Sequence, residues 1–164
     1  MLEALQVATV LVLAATLSLS LAHALEFPGK MRLSKDDYYT VQQIYYPGFT
    51  YGGALEPIAV VLLIMVLFFT PSESPSFWLN AFALLAAAAM HAVYWIVTHP
   101  VNRAWVKGLE KSGVGTQFFE MGRGSDRNVA WTELRDRWEH SHMLRAALAF
   151  AALAAQVVSL LVEP

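Results

Sequence analysis

Cysteine is absent from the 164 residues. That excludes disulfides, thiolate metal sites, iron–sulfur clusters and c-type haem attachment, so any metal would need histidine and carboxylate ligands. Charge is also scarce. Asp, Glu, Lys and Arg make up 15% of the chain, against roughly a quarter in soluble domains. There is no Gly-rich phosphate loop, nucleophile elbow or dinucleotide fingerprint, and no basic patch that suits nucleic acid, which is therefore not an expected partner. What dominates instead is apolar: 57% of residues are hydrophobic, gathered into four long blocks.

Those blocks predict an all-α integral membrane protein, an antiparallel four-helix bundle of one domain, with spans at about 4–24, 49–70, 77–98 and 142–162. Each supplies about the 20 residues that cross roughly 30 Å of hydrocarbon at 1.5 Å per residue. Ala22-His-Ala24 imitates a signal-peptide cleavage site. The start carries Glu3 rather than a basic residue, however, and the apolar run is too long for a signal h-region, so a membrane helix is expected there. Lys and Arg fall between spans one and two (Lys30, Arg32, Lys35), between spans three and four (Arg103 to Arg137), or just inside span four at Arg145. The other side carries only Glu3, Glu73 and Glu163. The positive-inside rule then predicts a plasma or inner membrane protein with cytoplasmic connections and both termini extracytoplasmic.

The connections carry signals of their own. Pro71 to Ser76 reads as a helix breaker that folds spans two and three into a hairpin. Ser34 followed by Asp37 fits a capping box, and Tyr38, Val41 and Tyr45 recur at helical spacing, which predicts a short interfacial helix. The stretch from Pro100 to Ala130 is Gly-rich and reads as a loop, with Phe118 and Phe119 as docking residues. Trp131 to His142 reads as a cytoplasmic extension of the fourth helix. Tyr45, Tyr46, Tyr51, Trp95, Trp105 and Trp131 fit an aromatic belt at the membrane boundary.

Helical rise converts position to depth. Glu56 lies 14 residues before Thr70, and His91 lies 14 residues after Phe77. Both are therefore about 21 Å from the outer boundary, roughly 9 Å inside the inner one. His23, His99 and His142 fall near the inner boundary itself, with Arg145 between the two layers. An ionisable group at the depth of Glu56 is costly and points to function, with a partner in the bundle interior. His91 and Arg145 are the expected partners. The alternative is a structural ion pair, with Pro57 kinking the helix. Trp138, His142 and Arg145 share a helical face at i, i+4 and i+7, while Tyr94 and Trp95 lie one turn from His91. His23, Glu26, Glu139 and His142 are candidate metal ligands by the Glu-x-x-His spacing of di-iron bundles, although those bundles place ligands mid-helix. His99 and His140 read as ordinary interfacial residues.

Four segments carry a family resemblance: His23-Ala-Leu-Glu-Phe-Pro-Gly-Lys-Met-Arg32, Tyr46-Pro-Gly-Phe-Thr-Tyr-Gly-Gly53 with Glu56-Pro57, His99-Pro-Val-Asn-Arg-Ala-Trp105, and Trp138-Glu-His-Ser-His-Met-Leu-Arg145. The chain resembles the small four-helix membrane proteins grouped as anthrone-oxygenase-like, most specifically in the Pro-x-Asn and Trp-x-x-x-His-x-x-Arg segments. The resemblance implies oxidation of anthrones to anthraquinones with molecular oxygen, and it marks Asn102, Trp138, His142 and Arg145 as pocket residues. The leading expectation is an oxygenase acting on a lipophilic aromatic or quinone-like molecule. His91 or His142 would act as general base, Arg145 and Asn102 would stabilise an enolate-like oxygen, and Glu56, Trp138 and Tyr94 would help bind the substrate. No cofactor is required, because a substrate anion can itself reduce oxygen. Two rivals stand beside it. One is a metal- or haem-holding electron-transfer component. The other is a non-catalytic accessory subunit or lipid-binding protein, in a larger complex or a homo-oligomer.

Overall fold

The computed structural model describes residues 1–106 and 130–162, and all regular structure within them is helical. Helix α1 spans Leu2–Lys30, α2 spans Lys35–Gln42, and a 3-10 turn at Gln43–Tyr45 leads to the short α3, Gly48–Gly52. Then come α4 (Leu55–Phe69), α5 (Pro75–Val93), a π-helical segment (Tyr94–Thr98), α6 (His99–Val106) and α7 (Trp131–Ser159). Four stretches are long and apolar enough to cross a membrane: Leu2–Lys30, Gly48–Phe69, Pro75–Trp105 and Trp131–Ser159.

The ends of these elements follow from local chemistry. Ser34 caps α2, its hydroxyl accepting from the Asp37 backbone N–H at 3.3 Å. Ser74 caps α5 in the same way, accepting from Phe77 N–H at 3.2 Å, with Pro75 where a missing N–H costs nothing. Pro57 falls in the first turn of α4. Its missing N–H costs no bond inside α4, since a first-turn N–H has no carbonyl to bond within the helix, and the turn residues Gly53 and Ala54 separate α4 from α3 just before it. Pro100 sits deeper in its helix, and the five residues before His99 adopt π geometry. A π segment is one way a helix absorbs a missing N–H and the clash with the preceding turn.

Helix α1 packs on α4 and α7, and α5 packs on the same two, which closes the four long helices into a ring. The shared core is small: Leu13, Ala59, Leu63, Ala83, Ala86, Ala87, Ala152 and Ala155. Large apolar side chains point outward instead, with Phe68 81%, Leu85 69% and Phe150 64% exposed. A water-soluble bundle would reverse this order. Alanine lets helices approach closely where lipid removes the hydrophobic drive between them, and Phe or Leu outside suits acyl chains. Membrane lipid is thus a contact of the outer surface.

A second cluster of Tyr38, Tyr45, Val101, Trp105 and Trp138 lies where α2, the 3-10 turn, α6 and the start of α7 meet. Tyr45 and Trp105 are only 6% and 7% exposed, so neither is the belt anchor that their type suggested. Tyr51 and Trp95 remain 63% and 46% exposed. Helix α7 runs unbroken from Trp131, giving the extended fourth helix expected, and ends at Ser159 rather than 162. The glycines from Gly108 to Gly124, together with Phe118 and Phe119, lie outside the described residues.

Candidate functional site

Between α1, the α2–α3 segment, α4, α5 with its π segment, and α7 lies a cavity of about 460 Å³. Its size falls within the range of small-molecule sites. Its walls include Phe49, Tyr94, Trp95, Trp105 and Trp138. All seven catalytic and binding residues expected from sequence line it: Glu56, His91, Tyr94, Asn102, Trp138, His142 and Arg145.

Three helices deliver one polar row. The Glu56 carboxylate, in the first turn of α4, faces His91 Nδ1 of α5 at 3.2 Å through Oε2 and receives Arg145 Nη2 of α7 through Oε1. Arg145 Nη1 donates to His142 Nε2 at 3.1 Å, and His142 Nδ1 donates to the Trp138 carbonyl at 2.9 Å. The Trp95 indole N–H donates to His91 Nε2 at 3.0 Å. Trp138 Nε1 donates to Asn102 Oδ1 at 2.7 Å, which ties α7 to α6. The Arg145 guanidinium lies 5.3 Å from the Tyr94 ring centroid, while its Nε–H is buried without a hydrogen-bond partner. Glu56 and Arg145 are 6% and 7% exposed. Such a pair is tolerable in a dry interior only with good geometry and further hydrogen bonds, and the two histidines supply those.

A second ionic cluster stands behind Trp138. Lys30 Nζ lies 2.9 Å from Glu26 Oε2 and 3.7 Å from Glu139 Oε1. Tyr45 donates to Glu26 Oε2 at 2.5 Å and Tyr38 donates to Glu139 Oε1 at 2.7 Å. Burial first, and then the neighbouring carboxylate, push both phenols above their ordinary range, so both keep their protons and donate. The ammonium also lies 4.8 Å from the centroids of both the Tyr45 and Trp138 rings. Lys30 is therefore 3% exposed and belongs to the last turn of α1, not to a solvated basic connection. The spacing Glu26-x-x-x-Lys30 was the available signal, because i, i+4 places the two on one helical face. Tyr38 as the partner of Glu139, 101 residues away, left no signal of that kind.

The four metal candidates separate into these two clusters. His23 and His142 are neighbours, with ring centroids 4.4 Å apart. Glu26 and Glu139 are bonded to Lys30 and the two tyrosines, although Glu26 Oε2 also stands 3.8 Å from His23 Nδ1. Among the described residues, no three His, Asp or Glu side chains are placed to hold one metal ion. His99 is buried against Tyr94 and Trp95. His140 is exposed and bonds the Asp136 carbonyl. His23, by contrast, lines the cavity.

No curated protein and no solved structure matches the chain. Residues 45–155 match the family described as anthrone oxygenase, and the matched stretch contains every member of the polar row. With well over half its length in that match, the chain belongs to the anthrone oxygenase family.

Proposed function

We propose that this protein is a membrane-embedded oxygenase that oxidises an activated methylene on a flat, lipophilic aromatic molecule of the anthrone type. The observation that carries the reading is the aromatic-walled cavity of about 460 Å³ with a buried guanidinium, carboxylate and histidines converging on it, inside the family match. The bundle is antiparallel, α2 lies along the membrane interface, and the cavity opens to the cytoplasmic side. A ligand of this kind reaches the site from the lipid boundary. Polar groups are costly in such surroundings, and packing alone would be cheaper with more of the alanines used elsewhere.

In this mechanism a pocket histidine takes a proton from the acidic C–H. The electron pair stays on the substrate as an enolate, whose oxygen is met by Arg145 and Asn102. Glu56, held by His91, keeps the guanidinium in place, and Tyr94 and Trp138 provide faces for the flat ring system. The enolate reduces oxygen directly. One CH2 and one O2 become one C=O and one H2O, which balances atoms and electrons without a metal or an organic cofactor.

The purified full-length protein, mixed with anthrone, should consume one O2 per anthraquinone formed, and Arg145→Gln should lower that rate on the order of a hundredfold. Absence of oxygen uptake above the protein-free rate by folded protein overturns the reading. The polar row's internal pairing favours one alternative, a non-catalytic lipid-binding or accessory subunit. That alternative is supported if Arg145→Gln costs assembly with a larger membrane complex while no turnover is found in the wild type.

A further inference from the structure

The histidines around the cavity differ in whether they have a lone pair to offer. At His142 the Trp138 carbonyl can only accept, so Nδ1 carries the hydrogen. A guanidinium can only donate, so Nε2 spends its lone pair on Arg145. At His91 the assignment is equally closed, with Nδ1 on the Glu56 carboxylate and Nε2 accepting from the Trp95 indole. Neither ring can take a substrate proton without first breaking a bond within the protein.

His23 is placed differently. Its ring lines the cavity, yet its Nδ1 is buried with no hydrogen-bond partner. Four rings hold it in position, those of Tyr45, Phe49, Trp138 and His142, with centroid distances of 4.5, 4.6, 4.9 and 4.4 Å. One turn along α1, Glu26 Oε2 stands 3.8 Å from Nδ1. Closing that gap by about 1 Å would make a hydrogen bond. The Glu26 side chain is 40% exposed against 7% for His23, so it connects the cavity wall to the protein's edge. The other charged and titratable groups around His23 are Lys30 on its own helix, Tyr45 on the 3-10 turn, and Glu139, His142 and Arg145 on α7.

We propose that His23 is the proton-accepting residue of the cavity and that Glu26 is its positioning carboxylate. This rests on the oxygenase reading above and names the base within it. With Nδ1–H turned to Glu26, Nε2 presents its lone pair to the ligand, and the carboxylate balances the imidazolium charge once the proton arrives. In the step itself the substrate C–H bond breaks, the Nε2–H bond forms, and the electron pair remains on the substrate beside Arg145. His23 releases the proton as oxygen consumes the anion, since the net reaction delivers both methylene hydrogens to water. The family match begins at Tyr45, downstream of His23. It is the packing of α1 on α7 that brings this residue to the site.

The test separates proton removal from oxidation. Full-length protein is mixed with methylene-deuterated anthrone in the absence of oxygen, and loss of deuterium above the protein-free rate is followed by mass spectrometry. His23→Ala should lower this exchange, and aerobic oxygen uptake with it, on the order of a hundredfold. Anthrone binding, read by tryptophan quenching, should persist, and added imidazole should restore exchange. Glu26→Gln should lower exchange about tenfold with binding unchanged. His23→Gln keeps a polar side chain of similar reach and serves if the alanine variant does not fold. Wild-type exchange rates in either folded His23 variant overturn the inference and leave the oxygenase reading intact. Wild-type protein that neither binds anthrone, exchanges it nor consumes oxygen overturns both.

Discussion

A single carboxylate organises the inner layer of the cavity. Glu56 is bonded by Arg145 and by His91, each from a different helix, and is 6% exposed. Removing it strands a guanidinium in a low-dielectric interior, so Glu56→Ala should destabilise the protein by about 3–5 kcal/mol. Adding Arg145→Ala should recover part of that loss, since no charge is then left unpaired. Thermal unfolding of the two single variants and the double variant in detergent measures the coupling. Strict additivity would show that the pair contributes nothing. This pairing was legible in the sequence because helical rise turns residue number into depth: Glu56 and His91 shared one depth, and Arg145 was the nearest cation to it. The Lys30 cluster was not legible in the same way. Lys30 neighbours Arg32 and Lys35, and such a run reads as a solvated connection until the reach of α1 and the fold of α2 are known. Tyr38→Phe removes a phenol from a buried carboxylate and should cost about 1–3 kcal/mol in the same assay.

At the scale of elements, the four apolar stretches and the cap at Ser34 follow from composition and spacing, and each reappears in the structure. Two features depend instead on how elements meet. Gly52 of α3 is one. A methyl group there would come within 2.5 Å of Leu19 Cδ1 on α1, and Leu19 lines the cavity. Because the clash is with the tip of a flexible side chain, Gly52→Ala should leave stability nearly unchanged and push Leu19 into the ligand space. The expected readout is weaker binding of tricyclic ligands at an unshifted unfolding temperature. The π segment is the other. It widens the turn that carries Tyr94 and Trp95, just where Pro100 lacks an N–H. Sequence marks Pro100 as a breaker but does not say whether the chain bends, stops or takes a wider turn there, and packing against α7 through Thr98 and Ser141, 2.9 Å apart, accompanies the third of these.

For the molecule as a whole, the decisive quantity is the distribution of size and charge over the ring of helices. Alanine inside and Phe, Leu and Trp outside suit a lipid environment, and the buried polar row sits toward one end of the ring, close to the ends of α1 and α6 that carry the basic residues. Burial removes Lys30 from the charge count that sets orientation. Arg32, Lys35 and Arg103, together with Arg135 and Arg137 at the start of α7, still lie at that end, opposite the turn that holds Glu73. The placement of Lys and Arg near span ends sets topology, and among the described residues outside the buried row they lie at this one end. The expected orientation therefore keeps both termini and the turn between α4 and α5 outside, with α2 and the start of α7 facing the cytoplasm. Single cysteines are well suited to the measurement, because the chain has none of its own. Ser72→Cys, in the α4–α5 turn, should react with an impermeant maleimide in intact cells. Asp36→Cys, exposed on α2, should react only after the membrane is opened. The reverse pattern would invert the protein and put the cavity within reach of the outer face. Ligand would then be drawn from the outer leaflet rather than the inner one.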